Sequence, residues 1–144
     1  MTHRVEIRVR FGELDPYSHV NHTVYLQYFE HGRVVALEDA GQGLDLLMAA
    51  DVAMVVVQVG TRFLAPAHLG DRLVVESGIS QAGRATATWH QRILRGDDVL
   101  VTQVARAGCT TAAGRARRFP AAVIEALAPL TVPADWLGNQ APRW

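Results

Sequence analysis

The sequence predicts an α+β protein in which a strongly curved antiparallel sheet wraps around one long central helix. Three observations carry that expectation. The chain begins with a segment of period two, continues with one long apolar helix, and then holds four strand-like segments in succession. Four consecutive strands joined mainly by hairpins favour antiparallel pairing, and a twisted sheet of that kind can curl around a single apolar helix that fills its core.

Each element has its own signal. Val5, Ile7 and Val9 alternate with Arg4, Glu6, Arg8 and Arg10, as in a half-buried strand. The stretch from Phe11 to His22 carries Asp-Pro and Ser, which are turn residues. From Thr23 to Ala40, Val24, Tyr25, Tyr28, Phe29, Val35 and Ala36 fall at helical spacings, with Asn21 or Thr23 as the cap and Gly41 as the end. Apolar residues cover most of that circumference, so the helix is expected to be buried all round. A short helix, Leu44 to Ala50, leads to strands over Ala53–Phe63, Arg72–Ser80, Arg84–Leu94 and Val99–Thr111. Gly83 and the Gly96-Asp97-Asp98 cluster mark hairpin turns. Phe119 to Ala128 reads as a last helix, with Pro120 near its first turn, and the segment from Pro129 as an irregular tail. With no repeat and no low-complexity linker, residues 1–144 are expected to form one domain.

Composition excludes several classes of function. Fourteen basic residues balance fourteen acidic ones, so nothing draws the whole molecule to nucleic acid or to an anionic membrane. The one cysteine, Cys109, allows neither an intramolecular disulfide nor a cysteine-based zinc site, and it reads as a small buried hydrophobe. The N-terminus has no apolar signal core, and Val52 to Val57 is far too short to cross a bilayer. The expected protein is soluble and cytoplasmic.

The chemistry lies between Phe11 and Arg33. There Asp15, His19, Asn21, His22 and Tyr25 stand between a strand end and a helix start. A helix N-terminus offers unpaired N–H groups and a partial positive charge, which can polarise a carbonyl oxygen. A carboxylate beside them can attack that carbonyl or activate water. A thioester suits so sparse a site. Its thiolate leaving group derives from a thiol of pKa about 8.5 and needs little help from an acid. A metal on His19 and His22 is disfavoured, because the pair lacks a third ligand. Tyr25 and Phe29 suit the core, and His31 and His90 read as structural histidines.

The run Phe11-Gly12-Glu13-Leu14-Asp15-Pro16-Tyr17-Ser18-His19-Val20-Asn21-His22, with Tyr25-Leu26 and Tyr28-Phe29-Glu30 after it, resembles the signature of the 4-hydroxybenzoyl-CoA thioesterase family. Weaker agreement comes from Arg62-Phe63, Pro66, Gly70-Asp71 and Arg117 to Pro120. The resemblance spans about Val5 to Val123. It implies the hotdog fold and hydrolysis of acyl-CoA, or of acyl groups on a carrier protein, with no metal or cofactor. It makes Asp15 the nucleophile or general base and His22 its active-site companion. His19, Asn21 and Tyr25 become substrate-side residues. Arg84 and Arg118 fall where the family contacts the phosphates of coenzyme A. Ser18 replaces the family's usual glycine, and a positive φ there would strain it. Hotdog relatives pair sheets edge to edge, which implies a homodimer or homotetramer with the site at the subunit interface. A hydratase or dehydratase acting on enoyl thioesters is the competing enzyme class, and a non-catalytic acyl-thioester-binding member is the other.

Overall fold

The computed structural model describes residues 1–82 and 84–143, and for Gln81 and Ala82 the backbone only. The strands are β1 (His3–Arg8), β2 (Ala53–Phe63), β3 (Arg72–Ala82), β4 (Thr86–Arg95) and β5 (Asp98–Thr110). The helices are α1 (His22–Asp39), α2 (Leu44–Ala49) and α3 (Ala121–Leu127). All five strands join one antiparallel sheet in the order β1-β3-β4-β5-β2, so β1 and β2 are its edges. The expected turn at Gly83 falls outside the described residues. The second turn is present, with Gly96 at φ 59 between β4 and β5.

Two expectations are corrected. The sheet is not strongly curved. Nor is α1 buried all round: it hides Tyr25, Tyr28, Phe29, Gly32, Ala36 and Leu37, while Leu26 is 41% exposed. The reason is that α1 lies over β3, β1 and β4, so only one of its faces meets the sheet: Val24, Val34 and Val35 at its margin are half-buried and Leu26 stays open.

The core has two parts. One gathers Tyr25, Phe29, Leu73, Val75, Ile93 and Val101 near the start of α1. The other gathers Leu37, Ile79, Trp89, Ala105, Val123 and Leu127 near its end. Between them the helix-facing row of the sheet is polar: Ser77, Gln91 and Gln103 are fully buried and stand opposite one another on β3, β4 and β5.

The segment after α3 is irregular but built in. Thr131 bridges Ile79, and Val132 N–H donates to the Ile79 carbonyl at 2.9 Å. Val132 sits against Gly78, where a Cβ would come within 2.5 Å of Val132 Cγ1, so only glycine leaves room for the crossing. Beyond it, Trp136 lies under Arg92, with the guanidinium 4.8 Å from the ring centre. Among the described residues no helix is long and apolar enough to cross a membrane.

Candidate active site

Glu13 sets the geometry of the loop before α1. Its carboxylate accepts from Arg10 N–H (2.8 Å), the Arg10 guanidinium (2.8 Å) and the Tyr28 hydroxyl (2.7 Å). Its carbonyl accepts from Asn21 N–H at 2.9 Å. Burial pushes the Glu13 carboxyl up, but the hydrogen bonds from Arg10 and Tyr28 outweigh it and hold it below the usual range. Leu14 and Val20 then pair as an antiparallel bridge, and the chain between them turns back on itself.

Asp15 opens that turn. Its Oδ1 accepts from Tyr17 N–H at 2.8 Å and His19 N–H at 3.2 Å, an Asx-type turn that orients the carboxylate. Ser18 adopts φ 63, so the position does need the left-handed conformation and the serine carries its strain. Asn21 caps α1: its Oδ1 accepts from Thr23 N–H (3.0 Å) and the Thr23 hydroxyl (2.9 Å). Val24 N–H is taken by the Asn21 carbonyl. The backbone N–H of His22, the first residue of α1, finds no acceptor among the described residues.

Asp15, His19, His22 and Tyr25 line one cavity of about 360 Å³, closed on its other side by Phe63, Leu64, Ala65 and Pro66. The His22 ring meets Phe63 edge-on at 6.4 Å, and His19 meets His68 edge-on at 5.2 Å. Tyr25 is 4% exposed, and its hydroxyl oxygen accepts from Ala67 N–H at 2.9 Å. Burial raises the Tyr25 phenol above its ordinary value, so it remains protonated and keeps a hydrogen to donate. Among the described residues no group of three or more His, Cys, Asp or Glu side chains could hold a metal ion.

The structure separates the other expected site residues from this cavity. Asn21 spends its side-chain oxygen on the cap and does not line it. Arg84 and Arg118 flank Phe119, whose N–H donates to the Arg84 carbonyl, beside the end of β5. Asp15 lies by the end of β2, which pairs with the start of β5. The two arginines are therefore at the far end of the same chain's sheet. His31 is exposed, whereas His90 is buried and hydrogen-bonded to Ser80. Sequence reasoning misses the Glu13–Tyr28 brace and the wall from Phe63 to Pro66 as parts of the site. Their only signal is that Glu13, Tyr28, Phe63 and Pro66 belong to the matching motifs.

A carboxylate and two imidazoles thus gather in a cavity at a helix N-terminus, beside a five-stranded antiparallel sheet of the hotdog type. Residues 17–102, more than half of the chain, match the model of the Thioesterase superfamily, and the chain belongs to that superfamily. It is 37% identical over 83 residues to the acyl-acyl carrier protein thioesterase ATL3, chloroplastic, of Arabidopsis thaliana, covering 58% of this chain and 44% of that protein. It is 35% identical over 78 residues to the long-chain acyl-CoA thioesterase FadM of Escherichia coli K12, covering 54% of this chain and 58% of that protein. The matches thus span less than two thirds of either relative. Among solved structures, the hypothetical protein TT1821 from Thermus thermophilus superposes with a TM-score of 0.83 at 31% identity, covering 88% of this chain and 98% of that one.

Proposed function

We propose that residues 1–144 form a single hotdog domain, with α1 as its central helix, that hydrolyses acyl thioesters of coenzyme A or of a carrier protein. The observation that carries this reading is the meeting of Asp15, His19, His22 and Tyr25 in one cavity at the start of α1. With Oδ1 of Asp15 held by two backbone N–H groups, its Oδ2 is the oxygen left for chemistry. Asp15 attacks the thioester carbonyl directly, giving a mixed anhydride that water then hydrolyses, or takes a proton from the water that attacks; both routes end in the same acid. As the carbonyl carbon becomes tetrahedral, negative charge gathers on its oxygen, and the open His22 N–H at the positive helix end is the donor for it. The C–S bond then breaks and the electron pair leaves on sulfur, which needs no prior protonation. The Tyr25 hydroxyl and the His19 and His22 rings hold the substrate or the water.

The working unit in this reading is a homodimer. β2 is an edge strand whose Val55, Val56, Val57 and Val59 are all exposed, an open apolar edge that invites pairing. A two-fold axis beside it would pair β2 with its copy antiparallel. That pairing brings the end of the partner's sheet that carries Arg84 and Arg118 toward the Asp15 cavity. The arginines expected to hold coenzyme A phosphates would then act across the interface. Thiol release measured over a panel of acyl-CoA and acyl-carrier-protein substrates tests the activity. Hydration of an enoyl thioester without thiol release would replace it with the hydratase reading.

A further inference from the structure

Thr61, Gln103, Gln91 and Ser77 stand opposite one another on β2, β5, β4 and β3, so one polar row crosses the sheet beneath α1. Gly32 seats the helix on this row: a Cβ there would meet Val75 Cγ1 at 2.6 Å and Gln91 Nε2 at 3.2 Å. The next residue, Arg33, is held by the row. Its Nη1 donates to Gln91 Oε1 at 2.8 Å and to Gln103 Oε1 at 2.9 Å. Gln91 Nε2 donates in turn to the Phe29 carbonyl and Ser77 Oγ, and Gln103 Nε2 to Thr61 Oγ1. Both acceptors that Arg33 meets are neutral, and its Nε and Nη2 have no acceptor among the described residues. A guanidinium cannot shed its charge, so those donors depend on solvent.

Arg33 and Glu30 line a cavity of about 220 Å³ whose other walls include Leu37, Met54, Val56 and Trp89. This cavity continues a seam that begins at Asp15. On α1, His22, Leu26, Glu30 and Arg33 recur at helical spacing along one side. On β2, Phe63 and Thr61 face the helix, Val59 follows by alternation, and a bulge returns Val56 and Met54 to the same face. Leu26 and Val59 are exposed in the single chain, so between the two cavities the seam is open and mainly apolar, with Thr61 and Glu30 as its polar members.

We infer that this seam takes the acyl chain of the substrate and that Arg33 sets the upper length limit for a plain hydrocarbon chain. The inference rests on the thioesterase reading above. Methylene groups lying over the guanidinium would strip its solvent and return no acceptor, which is costly for a charged donor. Shorter chains stop before the polar row, which reaches β2 at Thr61, and meet only Leu26 and Phe63. His22 and Arg33 are eleven positions apart in α1, about 16 Å at 1.5 Å per residue. Chains whose extended length exceeds that span are the ones Arg33 rejects.

The test is a saturated acyl series from butanoyl to octadecanoyl, carried on coenzyme A and in parallel on acyl carrier protein. It compares wild type, Arg33→Met and Arg33→Lys, with melting temperatures recorded. Wild type should lose about tenfold or more in kcat/KM once the chain passes the span. Arg33→Met should recover that loss for long chains and leave short chains unchanged, while Arg33→Lys keeps the limit. A merely structural Arg33 would lower stability and shift every chain length alike. If Arg33→Met does not fold, Arg33→Gln, which can still hydrogen-bond both glutamines, takes its place. An unchanged length profile in a folded neutral variant overturns the proposal, as does a wild type that accepts long and short chains equally. A wild type with no thiol release from any substrate overturns the thioesterase reading and this proposal with it.

Discussion

Replacing Asp15 by asparagine separates chemistry from architecture at the one residue on which the proposed mechanism turns. The asparagine side chain keeps an Oδ1 that can accept from Tyr17 N–H and His19 N–H, so the loop keeps both of its bonds. Its Nδ2 stands where the reactive Oδ2 stood, and an amide nitrogen is neither base nor nucleophile. Loss of a positioned base costs about 10²–10⁴ in rate, which is about 3–5 kcal/mol of barrier. Asp15→Ala differs in kind: it removes both acceptor contacts as well, at about 0.5–1.5 kcal/mol each. The expected pattern is therefore turnover collapsed in both variants, with a melting temperature near wild type for asparagine and lower for alanine. Thiol release at saturating substrate gives the first quantity, and thermal unfolding followed by circular dichroism gives the second. A folded Asp15→Asn protein that turns over within a few-fold of wild type would falsify the role given to Asp15.

Four further outcomes follow from the same geometry. His22→Ala should lower turnover by roughly ten- to a hundredfold, less than Asp15→Asn, with His22→Asn recovering part of the loss because an amide still donates and accepts; full activity in folded His22→Ala removes the ring from the site. Ser18→Gly relieves roughly 1 kcal/mol of left-handed strain but raises unfolded-chain entropy by a similar amount, so stability should hold within about 1 kcal/mol; a larger loss would contradict the φ of 63. Burial pushes the Glu76 carboxyl up, but Thr2, Arg92 and Arg4 outweigh it and hold it below its unfolded value. Its stabilisation is thus present above about pH 4.3 and lost as pH falls through the lowered folded value. Glu76→Gln should cost about 1–3 kcal/mol at pH 7 and flatten the acid limb of the stability curve, and an acid limb as steep as wild type would refute the assignment. Val57→Glu places a charge on the exposed β2 edge and should give a monomer by light scattering, whereas an unchanged mass would move the interface elsewhere.

Local preferences along the chain account for the individual elements. Alternation in β1, turn residues in the Asp15 loop and the Gly96 hairpin are written in short-range preferences, and the strands and helices fall within a few residues of where those preferences put them. The candidate cluster is legible for the same reason: Asp15, His19, His22 and Tyr25 lie within eleven consecutive residues, and one tight turn followed by a capped helix brings them together. Other features depend on contacts far apart in the chain. Periodicity reports how apolar a helix surface is, not which neighbours cover it. So α1 reads as buried all round, and only its placement over β1, β3 and β4 shows that one side stays open. Arg84 and Arg118 carry the right charge for phosphates, yet a strand running the length of the sheet puts them at its opposite end. The polar row is the least visible. Ser77, Gln91 and Gln103 are each one of several polar residues in their strands, with nothing local to set them apart, and Arg33 is one of several charges on α1. Only the register of four strands aligns them, and only the close seat at Gly32 lowers Arg33 onto them. Register and helix placement are set by how the whole core packs, and no local window of sequence contains that information.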